Sequence, residues 1–372
     1  MDSTSDIVVI GAGIVGCAVA YELARRGASV RVVDDRLPGM GATQAAAGVL
    51  APYIEARENA PLSALAARSL EMYDEFVAGV EADSGLSVTY RRTGTLDVAL
   101  KDDQMRCLEG AAADLANRGV VAELLDAHAL RREEPQIGTG AVGGLHIPSH
   151  GFVAAGDLIA ALAGAAKRHG VELLERSRVT RVSPAGGALA IHTDRGTLQA
   201  GGVVVAAGSW SGQLAIDGVA DPAPIRPVRG QLLHLAWSGP RLRRVTWAER
   251  CYLVPWDDGT LLVGATVEEA GFDERTTVAG VRDLIEAACE LVPRAWTAAL
   301  IAAKVGLRPA SADGLPVIGS SSVYPNLMYA TGHFRNGILL APLTAQLVAD
   351  VMLQHRSDPM LALTRPQRFG EL

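Results

Sequence analysis

The residues with the most definite chemistry stand near the two ends of the chain. Gly11, Gly13 and Gly16 form G-x-G-x-x-G, and Asp34 follows at close to the ~20-residue spacing of a carboxylate that takes a ribose hydroxyl pair. The first glycine permits the tight turn, the second lets backbone N–H groups approach a pyrophosphate, and the third lets the next helix pack close to the strand. Asp34 is followed by Asp35, where a 2′-phosphate would want an arginine, so NADP fits poorly. Towards the other end, Arg308 lies between the strand-like run 304–307 and Pro309, so its guanidinium is expected to point into a pocket. A buried arginine wants an anion, and a carboxylate fits its fork with two parallel hydrogen bonds. The competing assignment is an internal ion pair with an acid such as Asp313. Tyr252, within a strand-like apolar run, reads as a strand core tyrosine. His333, beside Phe334 and Arg335 in a turn, reads as a structural histidine. Metal chemistry has no foothold: Cys17, Cys107, Cys251 and Cys289 are scattered without C-x-x-C spacing, and no H-E-x-x-H occurs.

These residues need elements to hold them. Residues 6–10 are a short apolar, β-branched run that reads as a fully buried parallel strand. Helical spacing at Val15, Val19 and Leu23 follows, Gly27 stops the helix, and 29–33 reads as the second strand. Together they make a complete nucleotide-binding βαβ unit. The dense small residues of 42–52 suggest a helix start lying close against a flat ligand or another backbone, the alternative being a plain alanine-rich helix. A helix is expected over 61–83 with Ser63 near its cap, then a hairpin of strands 88–91 and 95–100 around Gly94. Further helices are expected at 103–117, 127–133, 156–169, 278–291 and from 336. Strands are expected at 171–174, 179–182, 189–193, 197–199, 202–207, 225–237, 251–255, 260–266, 302–307 and 326–330.

With 372 residues, 49% hydrophobic and 20% charged, the chain has material for two domains with their own cores. A net charge of −7 speaks against a nucleic-acid partner, which needs a basic surface. The first strand begins so near Met1 that no leader peptide is expected, and the unpaired thiols fit a cytoplasmic protein. No apolar run is expected to span a bilayer. The most apolar helix, 336–352, contains Pro342, Gln346 and Asp350 and reads as buried against the core.

GAGIVG with Asp34, ATQAAAGVLAP (42–52), VVVAAGSWS (203–211), RPVRGQ (226–231), CYLVP (251–255), VGAT (263–266), VGLRPASADGLPVIG (305–319) and ATGHFRNGILLAP (330–342) together resemble the FAD-dependent D-amino-acid-oxidase superfamily. Within it, the chain resembles the glycine oxidases associated with thiamine biosynthesis, over nearly its whole length. The resemblance implies an α/β fold class: a Rossmann-type, p-hydroxybenzoate-hydroxylase-like FAD-binding domain with a second, mixed antiparallel-sheet substrate domain. The expected division is 1–85, 146–220 and 305–372 for the discontinuous FAD domain, and 86–145 with 221–304 for the substrate domain. It also implies non-covalent FAD, a small amino-acid substrate, molecular oxygen as acceptor and a homo-oligomer.

The implied reaction is oxidative deamination of glycine, sarcosine or a small D-amino acid. Hydride passes from Cα to flavin N5, and an oxo acid, ammonia and hydrogen peroxide result. The alternatives are a D-amino-acid dehydrogenase passing electrons to a quinone, an NAD-binding dehydrogenase and a non-catalytic nucleotide-binding protein. By similarity Arg308 anchors the substrate carboxylate, Tyr252 donates to the same group, and Arg335 lies at the substrate entrance or amine side, these three forming the catalytic set. The implied cofactor contacts are Gly11, Ala12, Gly13, Ile14, Gly16, Asp34, Asp35, Ala42, Thr43, Ala47, Gly48, Val49, Val179, Ala207, Gly208, Trp210, Arg308, Arg335, Asn336, Gly337 and Ile338. Three departures stand out from the related pattern. Ala310 replaces a glycine and Val267 a methionine, both expected to reshape the pocket, and the smaller Val267 is expected to admit D-alanine-sized substrates as well as glycine. Ala154-Ala155 replaces an Asp-Pro-like pair and is expected to alter only a helix cap.

Overall fold

In the computed structural model, which describes residues 5–57, 59–220 and 222–372, the opening strand Ser5–Ile10 lies between two parallel neighbours. Ile7 faces Gly202 of Gly196–Val205 on one side and Val30 of Val30–Val33 on the other. Glu172–Leu174 extends the sheet beyond Val30–Val33, and Leu327–Thr331 pairs in parallel with the far half of Gly196–Val205. The antiparallel ribbon Val179–Ala185 and Ala188–Thr193 pairs with its near half, and Ala215–Ile216 and Val317–Ser320 complete a nine-stranded sheet. Strand alternation explains the layers. Ile7, Val9 and Val204 pack with helices Ile14–Arg25, Ala155–Arg168 and Gly337–Gln354, whereas Val8, Ile10, Val203 and Val205 pack against the ribbon.

A second, eight-stranded sheet runs in the order Ala299–Ser311, Ile225–Ala236, Thr260–Gly264, Tyr252–Pro255, Val245–Trp247, Thr95–Ala99, Gly143–Ile147, Glu123–Asp126. Val245–Trp247 and Thr95–Ala99 pair in parallel, and the other pairs are antiparallel. Leu233, Leu253 and Val263 pack with helix Val278–Leu291. Their neighbours Leu232, Tyr252, Val254 and Leu262 face the opposite way, towards Ala47 and Phe152. This alternation turns Tyr252 towards the nucleotide-binding half.

Several elements differ from expectation. Residues 60–84 form two helices, Ala60–Glu71 and Tyr73–Ser84, and the cap is Asn59, which accepts from the Leu62 N–H at 3.1 Å. Ser63 is a buried helical residue. The hairpin about Gly94 does not form. Tyr90–Arg91 pairs with Gly151–Val153 in a small three-stranded sheet with Val49–Leu50, whereas Thr95–Ala99 joins the eight-stranded sheet. Gly94, at φ 80°, passes the chain from one sheet to the other. The start at 42 is a single 3₁₀ turn, Ala42–Ala45. Strands Gly143–Ile147 and Ala299–Ser311 run across the expected boundaries at 145/146 and 304/305. Helix Ala155–Arg168 begins at Ala154 with no side-chain cap. Phe334–Gln354 is, by length and composition, apolar enough to cross a bilayer, against the expectation that no run is. However, 67% of its 18-residue window is buried inside the fold.

Candidate active site

A cavity of about 520 Å³ runs from the glycine turn to the inner face of the second sheet. At its first end Gly11 adopts φ +108°, and a Cβ there would lie 2.4 Å from the Ala206 carbonyl oxygen. A Cβ on Gly16 would lie 1.9 Å from the Gly11 oxygen, so helix and turn meet backbone to backbone. Gly13 has open space instead, its nearest neighbour being Thr43 Oγ1 at 3.8 Å, and it caps the helix without any side-chain bond. The Ile14 N–H donates to Thr43 Oγ1 at 3.1 Å. The Asp34 carboxylate accepts from the N–H groups of Ala12 (2.5 Å) and Arg36 (2.8 Å), fixing it at the rim. Burial raises its pKa, and those two N–H groups oppose the rise. Gly48 closes the floor: at φ +71° a Cβ would meet the Val153 oxygen at 1.7 Å.

At the far end four side chains converge: Glu55, Tyr252, Arg308 and Arg335. Arg308 stands opposite Val228 in the long antiparallel pair, beside Gly230, where a Cβ would come within 2.3 Å of its guanidinium. Its Nη1 donates to the carbonyls of Thr266 (2.8 Å) and Arg229 (3.4 Å). Among the described residues no carboxylate lies within ion-pair distance of it. Asp313 pairs instead with Arg368 at 2.7 Å, which overturns the internal Arg308–Asp313 pair. Burial lowers the Arg308 pKa, against the pull of Tyr252. Arg335 pairs through Nε with Glu55 at 2.9 Å and lies 5.8 Å from the Trp247 ring centre. Glu55 is 9% exposed; burial raises its carboxyl pKa, and Arg335 and then Arg308 oppose this. Tyr252 packs on Trp247 (4.8 Å), and burial raises its phenol pKa. Two guanidiniums and one carboxylate therefore leave the site with one positive charge in excess.

Of the residues expected at the cofactor or substrate, Gly11, Gly13, Ile14, Asp34, Asp35, Ala42, Thr43, Ala47, Gly48, Val49, Val179, Ala207, Gly208, Trp210, Tyr252, Arg308, Arg335, Gly337 and Ile338 line the cavity. Ala12, Gly16 and Asn336 do not. Ala12 holds Asp34, Gly16 packs under Gly11, and Asn336 is buried at the start of the long helix. Val267 is 57% exposed and Ala310 is buried within strand Ala299–Ser311, and neither lines the cavity. The argument from their size to substrate size is thereby corrected, because Glu55, Tyr252 and Arg335 bound that end. His333 is buried, bonds Thr344 Oγ1 at 3.0 Å, and burial holds its pKa down at about 3, so it is neutral. Glu55 escaped the sequence reading, though it stands just after the ATQAAAGVLAP motif as the lone acid of a short apolar helix, Pro52–Glu55. Arg36 also escaped it. Its guanidinium grips Glu274 with two bonds (2.8 and 2.7 Å) and lies 4.6 Å over Trp210.

A glycine turn with a fixed rim carboxylate, a floor of small residues and a cavity extending to a second sheet fit a dinucleotide stretched between the two sheets. The fold and site define a dinucleotide-dependent oxidoreductase. The chain belongs to the FAD dependent oxidoreductases of the DAO family, whose model matches residues 6–351, and its cofactor is FAD. It is similar to the glycine oxidase of Geobacillus kaustophilus, at 33% identity over 349 residues, covering 93% of this chain and 92% of that one. The bifunctional ThiO/ThiG protein of Nostoc sp. is 35% identical over 364 residues, covering 96% of this chain but 54% of its own length. The chain thus spans about half of that relative. The crystal structure of glycine oxidase from Geobacillus kaustophilus superposes with a TM-score of 0.94 at 31% identity, over 98% of this chain and 99% of that one.

Proposed function

We propose that this protein oxidises glycine, or a small amino acid such as sarcosine or D-alanine, to an oxo acid and ammonia, with oxygen reduced to hydrogen peroxide. The observation that carries the reading is Arg308, a guanidinium that has no carboxylate partner among the described residues and stands at the end of a cofactor-sized cleft. A substrate carboxylate balances that charge and fits the Nη2–Nε edge of the fork, Nη1 being held by the two carbonyls. Tyr252 donates its phenol to the same carboxylate, and its raised pKa keeps it protonated for that task. Arg335, paired with Glu55, walls the amine side. Bound FAD supplies the acceptor for the hydride leaving Cα and returns the electrons to oxygen. Gly11, Gly13 and Asp34 hold its adenosine diphosphate. Gly337 and Ile338 open an 18-residue helix with no acid in its first turn, whose positive end favours negative charge at the reacting end of the cleft. No protein nucleophile is required, and the neutral, bonded His333 serves the turn rather than the proton.

The glycine oxidases among the relatives support the substrate class, and the ThiO/ThiG name supports a place in thiamine biosynthesis. The test is anaerobic addition of glycine to the purified yellow protein, followed by air. Bleaching of the flavin, then rapid recolouring with one peroxide per flavin, is expected. Bleaching without oxygen-dependent recolouring would point to a quinone-linked dehydrogenase. No bleaching by glycine, sarcosine or D-alanine would overturn the reading.

A further inference from the structure

We propose that the segment 265–277 is the positioning device for Arg308, acting through the hydroxyl of Thr266 and the buried amide of Gln231. This rests on Arg308 being the carboxylate anchor. Strand Ile225–Ala236 alternates its faces at this point. Gly230 lies beside the Arg308 guanidinium, while the side chains of Arg229 and Gln231 reach the segment 265–277.

Gln231, wholly buried, clamps that segment at both ends. Its backbone N–H donates to Thr266 Oγ1 (2.8 Å), and its backbone oxygen accepts from the Thr266 N–H (3.2 Å). Its amide donates to Glu268 Oε1 (2.7 Å) and Thr277 Oγ1 (2.8 Å) and accepts from the Thr277 N–H (2.9 Å). Thr266 Oγ1 in turn donates to Glu268 Oε1 at 2.5 Å. Glu268 Oε2 accepts from Arg229 Nη2 (2.6 Å) and Nε (3.1 Å), and the two backbones exchange both of their hydrogen bonds (2.9 and 3.0 Å).

The outcome is that the carbonyls of Thr266 and Arg229, the acceptors for Arg308 Nη1, are both fixed from behind. A guanidinium tied at Nη1 presents Nη2 and Nε in one orientation, so less rotamer freedom is lost when a carboxylate binds. The bonded residues Arg229, Gln231, Thr266, Glu268 and Thr277 do not line the cavity, whereas Phe272 and Glu274 of the same segment meet its wall at Trp210 and Arg36. Loss of the network therefore acts on carboxylate affinity and not on the chemical step.

The experiment compares Thr266→Val with Thr266→Ser in the holoenzyme. Acetate affinity is read from the flavin absorbance shift, and glycine KM and kcat, FAD content and thermal midpoint are measured alongside. Thr266→Val removes the hydroxyl that both accepts from and donates to this network. It is expected to weaken acetate and raise glycine KM by roughly tenfold, the factor a single such bond represents, with kcat and FAD content within twofold of the parent. Thr266→Ser restores both constants to within about twofold. The positioning role is overturned if Thr266→Val leaves acetate affinity within twofold while Arg308→Ala abolishes it, or if Val and Ser weaken it equally. If Arg308→Ala itself leaves acetate affinity intact, the carboxylate anchor falls, and the positioning role falls with it.

Discussion

Replacing Arg308 with methionine separates two opposite consequences. In the free protein the half-buried guanidinium has no ion-pair partner among the described residues, and its pKa is pressed down by desolvation. Removing it relieves part of the desolvation cost of that charge. It leaves the Thr266 carbonyl without that donor at a cost of about 1 to 3 kcal/mol, whereas the Arg229 carbonyl keeps its bond from the Glu268 N–H. The thermal midpoint should therefore stay level or rise. Binding moves the other way. Two charge-assisted hydrogen bonds of about 1.5 to 3 kcal/mol each are lost, so kcat/KM for glycine should drop by roughly 10² to 10⁴. The assays are peroxide release against glycine concentration, flavin content, and a thermal scan of the holoenzyme. A midpoint that collapses with loss of flavin would show that Arg308 is a structural cation. A glycine KM within twofold of the parent would show that no carboxylate binds there.

Gly48→Ala should cost at least about 2 kcal/mol and shed FAD, because its Cβ would meet the Val153 oxygen at 1.7 Å; Gly27→Ala, at φ +96° with open space, should cost about 1 kcal/mol and keep the flavin. The ratio of flavin to protein absorbance distinguishes them. Glu55→Gln raises the local charge by one, and with Arg335 partly exposed the gain is screened to about 1 kcal/mol, so acetate should bind roughly fivefold tighter; weaker binding would contradict the charge argument. His333, held neutral with its pKa lowered to about 3, takes up its proton in the unfolded chain first as pH falls below about 6.5. Its contribution is thus present above that pH and lost towards pH 3. His333→Asn should flatten the acid limb of a thermal-midpoint profile, and an unchanged limb would count against it.

What the sequence made legible is what is local. The βαβ unit is visible because each glycine has its own backbone task and because strand, helix and acid follow within one short stretch. Arg308 is visible because an arginine inside an apolar strand demands an anion. The failures lie where a partner is distant in the chain. Gly94 carries a turn signal whether its flanking strands pair with each other or, as they do, with Gly151–Val153 and Gly143–Ile147. Glu55 looks like the end of a minor helix until Arg335 arrives from the last third of the molecule. Val267 was assigned to the pocket by analogy with a related pattern, and its segment turns that side chain outward while its neighbour's carbonyl faces Arg308.

The charge count at the far end of the cleft bears on which molecules can react there. Arg308 and Arg335 against Glu55 leave a surplus of one positive charge, which a monocarboxylate cancels. A bare amine brings no such charge and leaves the Arg308 fork unfilled, so it gains nothing from the site's strongest donor. A dicarboxylate overshoots, since its second acid must lie near Glu55, whose raised pKa already marks the cost of negative charge there. Small amino acids satisfy both limits, because the ammonium can give its proton to solvent before Cα is oxidised and the carboxylate stays in the fork. On the proposed reading, selection at this site comes from an imbalance of one charge between Arg308, on the second sheet, and the Arg335–Glu55 pair, which arrives from the turn before the last helix and from helix Pro52–Glu55.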